Sequence, residues 1–180
     1  MLTLRLRKSI FFPLVAITTF YSGILSAGGL TAAQVQSAYI FQISKFVSWP
    51  DTRMGGDSFN ICYFPSYNLD MMLSQMEGRR IQQKNVHIIE VQEDYSDCHV
   101  LFIDEGVQIS MRSLIKTASE NNILTVGNHQ KMLTYCMLTL PLVNNKVELQ
   151  VNLNLLNAAN LHMSTNLLEI ASKVIKEDTL

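Results

Sequence analysis

Between residues 31 and 48, apolar positions recur at mixed spacings of three and four through Val35, Ala38, Tyr39, Phe41, Ile43 and Phe46 with Val47, which predicts an opening helix. Thr31 is placed to cap that helix, and Pro50, just past Trp49, stops it. Asp51 to Asp57, with Gly55 and Gly56, reads as a loop. The pattern then changes. Phe59 to Phe64 is an apolar run of strand length, and Leu69, Met72, Leu73 and Met76 mark one face of a short helix ended by Gly78. Val86 to Val91 predicts a second strand, and Val100 to Ile103 a third, without polar alternation, as expected when both faces are covered. Ile109 to Ser119 predicts a helix through Met111, Leu114, Ile115 and Ala118, and Ile123 to Val126 a fourth strand.

Strands alternating with helices predict an α/β fold whose sheet is largely parallel and flanked by helices. Near the end, Met137 to Val143 and Val147 to Leu153 flank Asn144-Asn145-Lys146, which predicts a C-terminal antiparallel hairpin. Pro141 places the first of these strands at an edge. A final helix is expected from Thr165 to Lys176, through Leu167, Leu168, Ile170, Ala171 and Val174. No repeat, low-complexity tract or linker divides the chain, so residues 28–180 read as one domain.

Residues 1–27 have the anatomy of a secretory signal peptide: Arg5, Arg7 and Lys8, then an apolar stretch from Ile10 to Leu25, then a small residue at Ala27. The stretch is interrupted by Pro13, Thr18, Thr19, Tyr21, Ser22 and Gly23 and falls short of the roughly 20 uniformly apolar residues that span a bilayer. The cut is expected after Ala27, with Ala33 as an alternative, and no Cys near either site could carry a lipid. Across the whole chain of 180 residues the formal net charge is −1; loss of the three leader cations and no acid shifts it to −4. A chain without excess positive charge has no electrostatic basis for binding nucleic acid.

Three cysteines remain in a compartment that permits disulfides, Cys62, Cys98 and Cys136, and composition leaves all three pairings open. Cys98 and His99 are adjacent, but neighbours in an extended segment point to opposite faces and cannot form a dyad. Cys62, His87, Cys98 and His99 contain no closely spaced ligand pair of the kind a zinc site uses. Glu93 with Asp94, and Asp104 with Glu105, read as solvated turns, and there is no Walker sequence, GxGxxG or GxSxG. No catalytic residue, metal or cofactor is therefore assigned. Asp104 and Glu105 follow a presumed central strand, and ligands of open parallel sheets bind at carboxyl ends of strands, which makes a small-ligand binding module the rival reading. The aromatics Tyr39, Phe41, Phe46 and Trp49 and the methionines Met71, Met72 and Met76 read as core. Gln150 and His162 read as satisfied polar groups at the core edge.

The segment Ala38-Tyr-Ile-Phe-Gln-Ile-Ser-Lys-Phe-Val-Ser-Trp-Pro50 resembles the opening helix of the YfiR-like family of periplasmic regulators, which closes with Lys-Phe, a variable pair and Trp-Pro. Four further segments match that family in order and spacing. They are Phe59-Asn-Ile-Cys62, Asp97-Cys-His-Val-Leu-Phe-Ile103, Ile123-Leu-Thr-Val-Gly127, and Val147-Glu-Leu-Gln-Val-Asn-Leu153 followed by Ser164 and Leu167-Leu168. The resemblance implies a non-enzymatic repressor, homodimeric and periplasmic, that holds an inner-membrane diguanylate cyclase inactive through its periplasmic sensor. It also implies an outer-membrane lipoprotein that sequesters the repressor, and lower cyclic di-GMP and biofilm output while the repressor is free. Cys62 and Cys98 align with the family's cysteine pair, which implies that bridge and leaves Cys136 as a free thiol. Gln150, Leu156, His162 and Ser164 fall where partner or ligand contacts are expected; Gln150 stands in place of an often acidic residue and His162 in place of an often basic one.

Overall fold

The computed structural model describes residues 30–65 and 70–176, so the leader predicted over residues 1–27 lies outside the described residues. Helix α1 (Ala32–Phe46) begins at the expected cap: the Thr31 hydroxyl accepts from Gln34 N, and the Gln34 side chain accepts from Thr31 N at 2.8 Å. This reciprocal pairing satisfies two backbone donors that a helix start would otherwise leave open. The face it buries centres on Ile40, Phe41 and Ile43, whereas Phe46, expected in the core, is 49% exposed. At Val47 the backbone turns extended, and β1 (Val47–Ser48) pairs antiparallel with β11 (His162–Met163).

An eight-stranded sheet carries the core. In chain order its strands are β2 (Ser58–Tyr63), β3 (Arg80–Ile81), β4 (Lys84–Glu90), β5 (Val100–Ile103), β6 (Leu124–Gly127), β7 (Leu138–Thr139), β10 (Gln150–Asn152) and β12 (Lys173–Ile175). In space they run β12-β10-β7-β6-β5-β2-β4-β3. Helix α2 (Asp70–Ser74) lies between β2 and β3, and α3 (Met111–Glu120), capped by the Ser110 hydroxyl, connects β5 to β6. The expectation of a largely parallel sheet is corrected. The sheet is mixed, because β3 returns against β4 and β10 runs antiparallel to β7, while the ladders among β4, β2, β5, β6 and β7 are parallel. Tight reversals are what put the antiparallel strands at its two sides.

The C-terminal hairpin forms. Strands β8 (Leu142–Val143) and β9 (Lys146–Val147) pair antiparallel across Asn144 and Asn145, whose φ of 47° and 63° suit a two-residue reversal. The same register continues below it, with Leu142 opposite Val147 and Thr139 opposite Gln150. Pro141 does not mark an edge strand: β7 sits inside the sheet between β6 and β10, and Pro141 follows it where the hairpin leaves the sheet. The expected final helix is also corrected. Helix α4 (Leu153–Ala158) follows β10 directly, α5 (Thr165–Glu169) ends within two turns, and Lys173–Ile175 forms β12 parallel to β10. Pairing on an open edge outweighs the helical spacing of Ile170, Ala171 and Val174.

Candidate functional site

Where α1 passes into β1, the chain forms one wall of a cavity of about 930 Å3. The loop after Pro50 supplies a second wall through Asp51, Met54, Gly56 and Asp57, and the β3–β4 reversal a third through Arg80, Gln82, Gln83 and Lys84. Gln82 and Gln83 turn the chain with φ of 48° and 68°. The Gln82 amide donates to the carbonyls of Val47 at 2.7 Å and Ser44 at 3.3 Å, which ties that reversal to the end of α1. Lys84 is 9% exposed, and its ammonium donates to the Gly55 and Gly56 carbonyls, holding the loop in place.

Two lining residues carry donors with no partner among the described residues, the Trp49 Nε1–H and the Ser164 hydroxyl. Trp49 is 7% exposed. Behind it, the Trp49 ring meets Phe59 edge-on at 5.2 Å, and Phe59 stacks on His99 at 4.8 Å with 24° between planes. His99 Nδ1 accepts from Asn60 N at 3.0 Å, which assigns the proton to Nε2, facing the Arg53 carbonyl at 3.3 Å. The Arg53 guanidinium reaches from the loop to the Ser96 and Cys98 carbonyls at 2.6 and 2.7 Å. Beside these lies the Cys62–Cys98 disulfide, with Cα atoms 5.8 Å apart and both residues buried. The cavity wall and the disulfide are thus joined by one run of contacts.

Burial, reinforced by the nearby Arg53 charge, pushes the His99 pKa down to about 4. A histidine kept neutral in the fold but protonated at its usual value when unfolded contributes stability that is complete above pH 6.5 and lost as pH falls toward 4. We expect the native state to lose about 2 kcal/mol through this group between pH 7 and pH 4, after allowing for partial solvent screening. Denaturant midpoints at the two pH values, compared with those of His99→Gln, measure it.

The four residues expected to meet a partner or ligand are dispersed. Ser164 lines the large cavity, and His162, in β11, is exposed. Gln150 is buried, accepting from the Thr139 hydroxyl at 3.3 Å, and Leu156 is wholly buried, so the contacts of both are internal. Cys136 is a free, buried thiol that burial pushes up to about 12, so it stays protonated. Asp104 lies after β5 and lines a second cavity of about 400 Å3 with Thr31, Gln36 and Asn128. Its carboxylate faces the Gly106 N–H at 3.5 Å within its own turn. Among the described residues no three His, Cys, Asp or Glu side chains converge as metal ligands, and no helix is long and apolar enough to cross a membrane.

The YfiR/HmsC-like family model matches residues 33–172, from the first turn of α1 to the residue before β12. The chain belongs to this family. No curated protein matches the sequence. Membership places the expected resemblance on firm ground, and a Cys62–Cys98 bridge fits a protein exported to an oxidising compartment. It is also consistent with regulation of diguanylate cyclases. Of the cavity residues, Lys45 and Trp49 stand in the segment that closes with Lys-Phe, a variable pair and Trp-Pro, whereas Arg80 and Lys84 escape a reading of the sequence, because no local motif joins them to that segment.

Proposed function

We propose that this YfiR/HmsC-like chain is a periplasmic regulator that represses an inner-membrane diguanylate cyclase by binding its periplasmic sensor, and that an outer-membrane lipoprotein relieves the repression by sequestering it. The reading assigns the chain no enzymatic step and treats it as a homodimer when active. The observation that carries it is the family match across nearly all of the described domain. The mechanism is a shift of population: a repressor that binds only the inactive sensor stabilises that conformation. Moving a sensor from 99% active to 99% inactive needs about 5.5 kcal/mol of differential affinity.

Deleting the gene is expected to raise cellular cyclic di-GMP and biofilm mass, and complementation with the wild type to restore both. Unchanged cyclic di-GMP on deletion, under conditions where the protein is expressed, overturns the reading.

A further inference from the structure

The large cavity differs from the rest of the molecule in charge. With the leader removed, the chain has four more acids than bases, yet Lys45, Arg80 and Lys84 all line this one cavity, opposed by Asp51 and Asp57. A fourth cation is adjacent: the Arg79 guanidinium lies 3.9 Å from the centre of the Phe41 ring, and the Lys45 ammonium lies 4.2 Å from the same centre. That shared aromatic surface holds both long side chains at the end of α1 where the cavity opens. Phe46, also lining the cavity, is 49% exposed. An exposed aromatic beside Arg80 is a pairing that interface centres favour, and the lysines and aspartates around it suit the polar rim.

The unpartnered donors sharpen the point. Buried N–H and O–H groups almost always find acceptors, and those that do not call for a reason. Trp49 Nε1–H and the Ser164 hydroxyl are both shielded, both unpaired among the described residues, and both on residues that line the cavity. An extended peptide offers carbonyl acceptors along its backbone and, when acidic, carboxylates for the surrounding cations. We propose that this cavity is the docking site for an acidic, extended segment of the protein that the chain regulates. Carboxylates of that segment sit against Lys45 and Arg80, an apolar side chain covers Phe46, and its backbone carbonyls accept from Trp49 and Ser164 as docking displaces the side chains that shield those two donors. The proposal rests on the repressor reading above and names the part of the partner that is recognised.

The test uses the full mature chain and the isolated periplasmic domain of the cyclase it represses. Arg80→Glu is expected to weaken association at least tenfold, and raising salt from about 50 to 300 mM to weaken the wild-type complex in the same sense. Trp49→Phe keeps an aromatic ring against Phe59 but loses the indole N–H together with part of the fused ring, whereas Ser164→Ala removes only a hydroxyl without a partner among the described residues. Both are expected to weaken binding severalfold, Trp49→Phe with some loss of stability and Ser164→Ala with an unfolding midpoint near that of the wild type. Lys116→Glu, on α3 and outside the cavity, is expected to bind as the wild type does. Wild-type affinity in both Arg80→Glu and Trp49→Phe overturns the docking site while leaving the repressor reading intact. An equal loss in Lys116→Glu also overturns it, since net charge alone would then account for the effect. A wild-type chain that fails to bind the sensor overturns the repressor reading and the docking site together.

Discussion

Replacing both Cys62 and Cys98 with alanine is expected to lower the stability of the native state by about 4 kcal/mol, most of what a domain of this size can lose and still fold. The bridge joins β2 to the residue two before β5 across 36 positions of sequence. Within that loop lie α2, β3 and β4, and therefore Arg80 and Lys84 of the cavity. Without the cross-link the unfolded chain regains the entropy of an open loop, and the native state also loses a fully buried contact. The double replacement is the informative one. A single Cys62→Ala change would leave Cys98 as a new thiol, whereas Cys136 is too buried and too weakly acidic to trap it. Chemical denaturation of the oxidised wild type, the reduced wild type and the double variant measures the effect, and the last two should nearly coincide. A double variant within about 1 kcal/mol of the oxidised protein would mean that the hydrogen bonds of Arg53 to Ser96 and Cys98 already order this loop without the bridge.

Much of the parallel core is legible along the chain because its signals are local. Thr31 and Gln34 stand three residues apart and form a capping box, Val100 to Ile103 is apolar without alternation and is buried throughout, and Asn144-Asn145 reverses the hairpin where its residue types predict. The misread parts depend on distant partners. Val174 fits a helical face as well as it fits a strand, and only β10 alongside it decides the matter. The two-residue strands β1 and β11 are too short to show any period, yet their pairing brings Ser164 to the end of α1. The disulfide becomes readable through the family resemblance, and its cysteines are indeed bonded. The cavity is marked only in part, since Lys45, Trp49 and Ser164 stand in segments that carry the resemblance and Arg80 and Lys84 do not. Lys45, Trp49, Arg80, Lys84 and Ser164 come together through a sheet register and a pair of minimal strands, and a helix-period or strand-period pattern encodes neither.

Phe59→Ala should have the other large effect, a loss of about 3 to 5 kcal/mol. Phe59 is wholly buried in β2, flanked by β4 and β5, and pairs in register with Val86. Its ring fills the space between Trp49 and His99, so truncation removes an edge-on contact, a stack and the apolar volume that separates them. Phe59→Leu retains most of that volume and is expected to cost about 1 to 2 kcal/mol. The truncation should also reach the chemistry on both sides. Desolvation is the main cause of the low His99 pKa, so a hole that admits water beside the imidazole raises it toward 6.5 and weakens the acid sensitivity of the fold. Trp49 is the chain's single tryptophan, so its emission reports the other side of the same hole without labelling. A red shift in native Phe59→Ala, together with a His99 titration moved upward by NMR, is the expected pair of results. An unchanged His99 titration in a folded Phe59→Ala protein would show that Arg53, and not the apolar packing of Phe59, keeps the imidazole neutral.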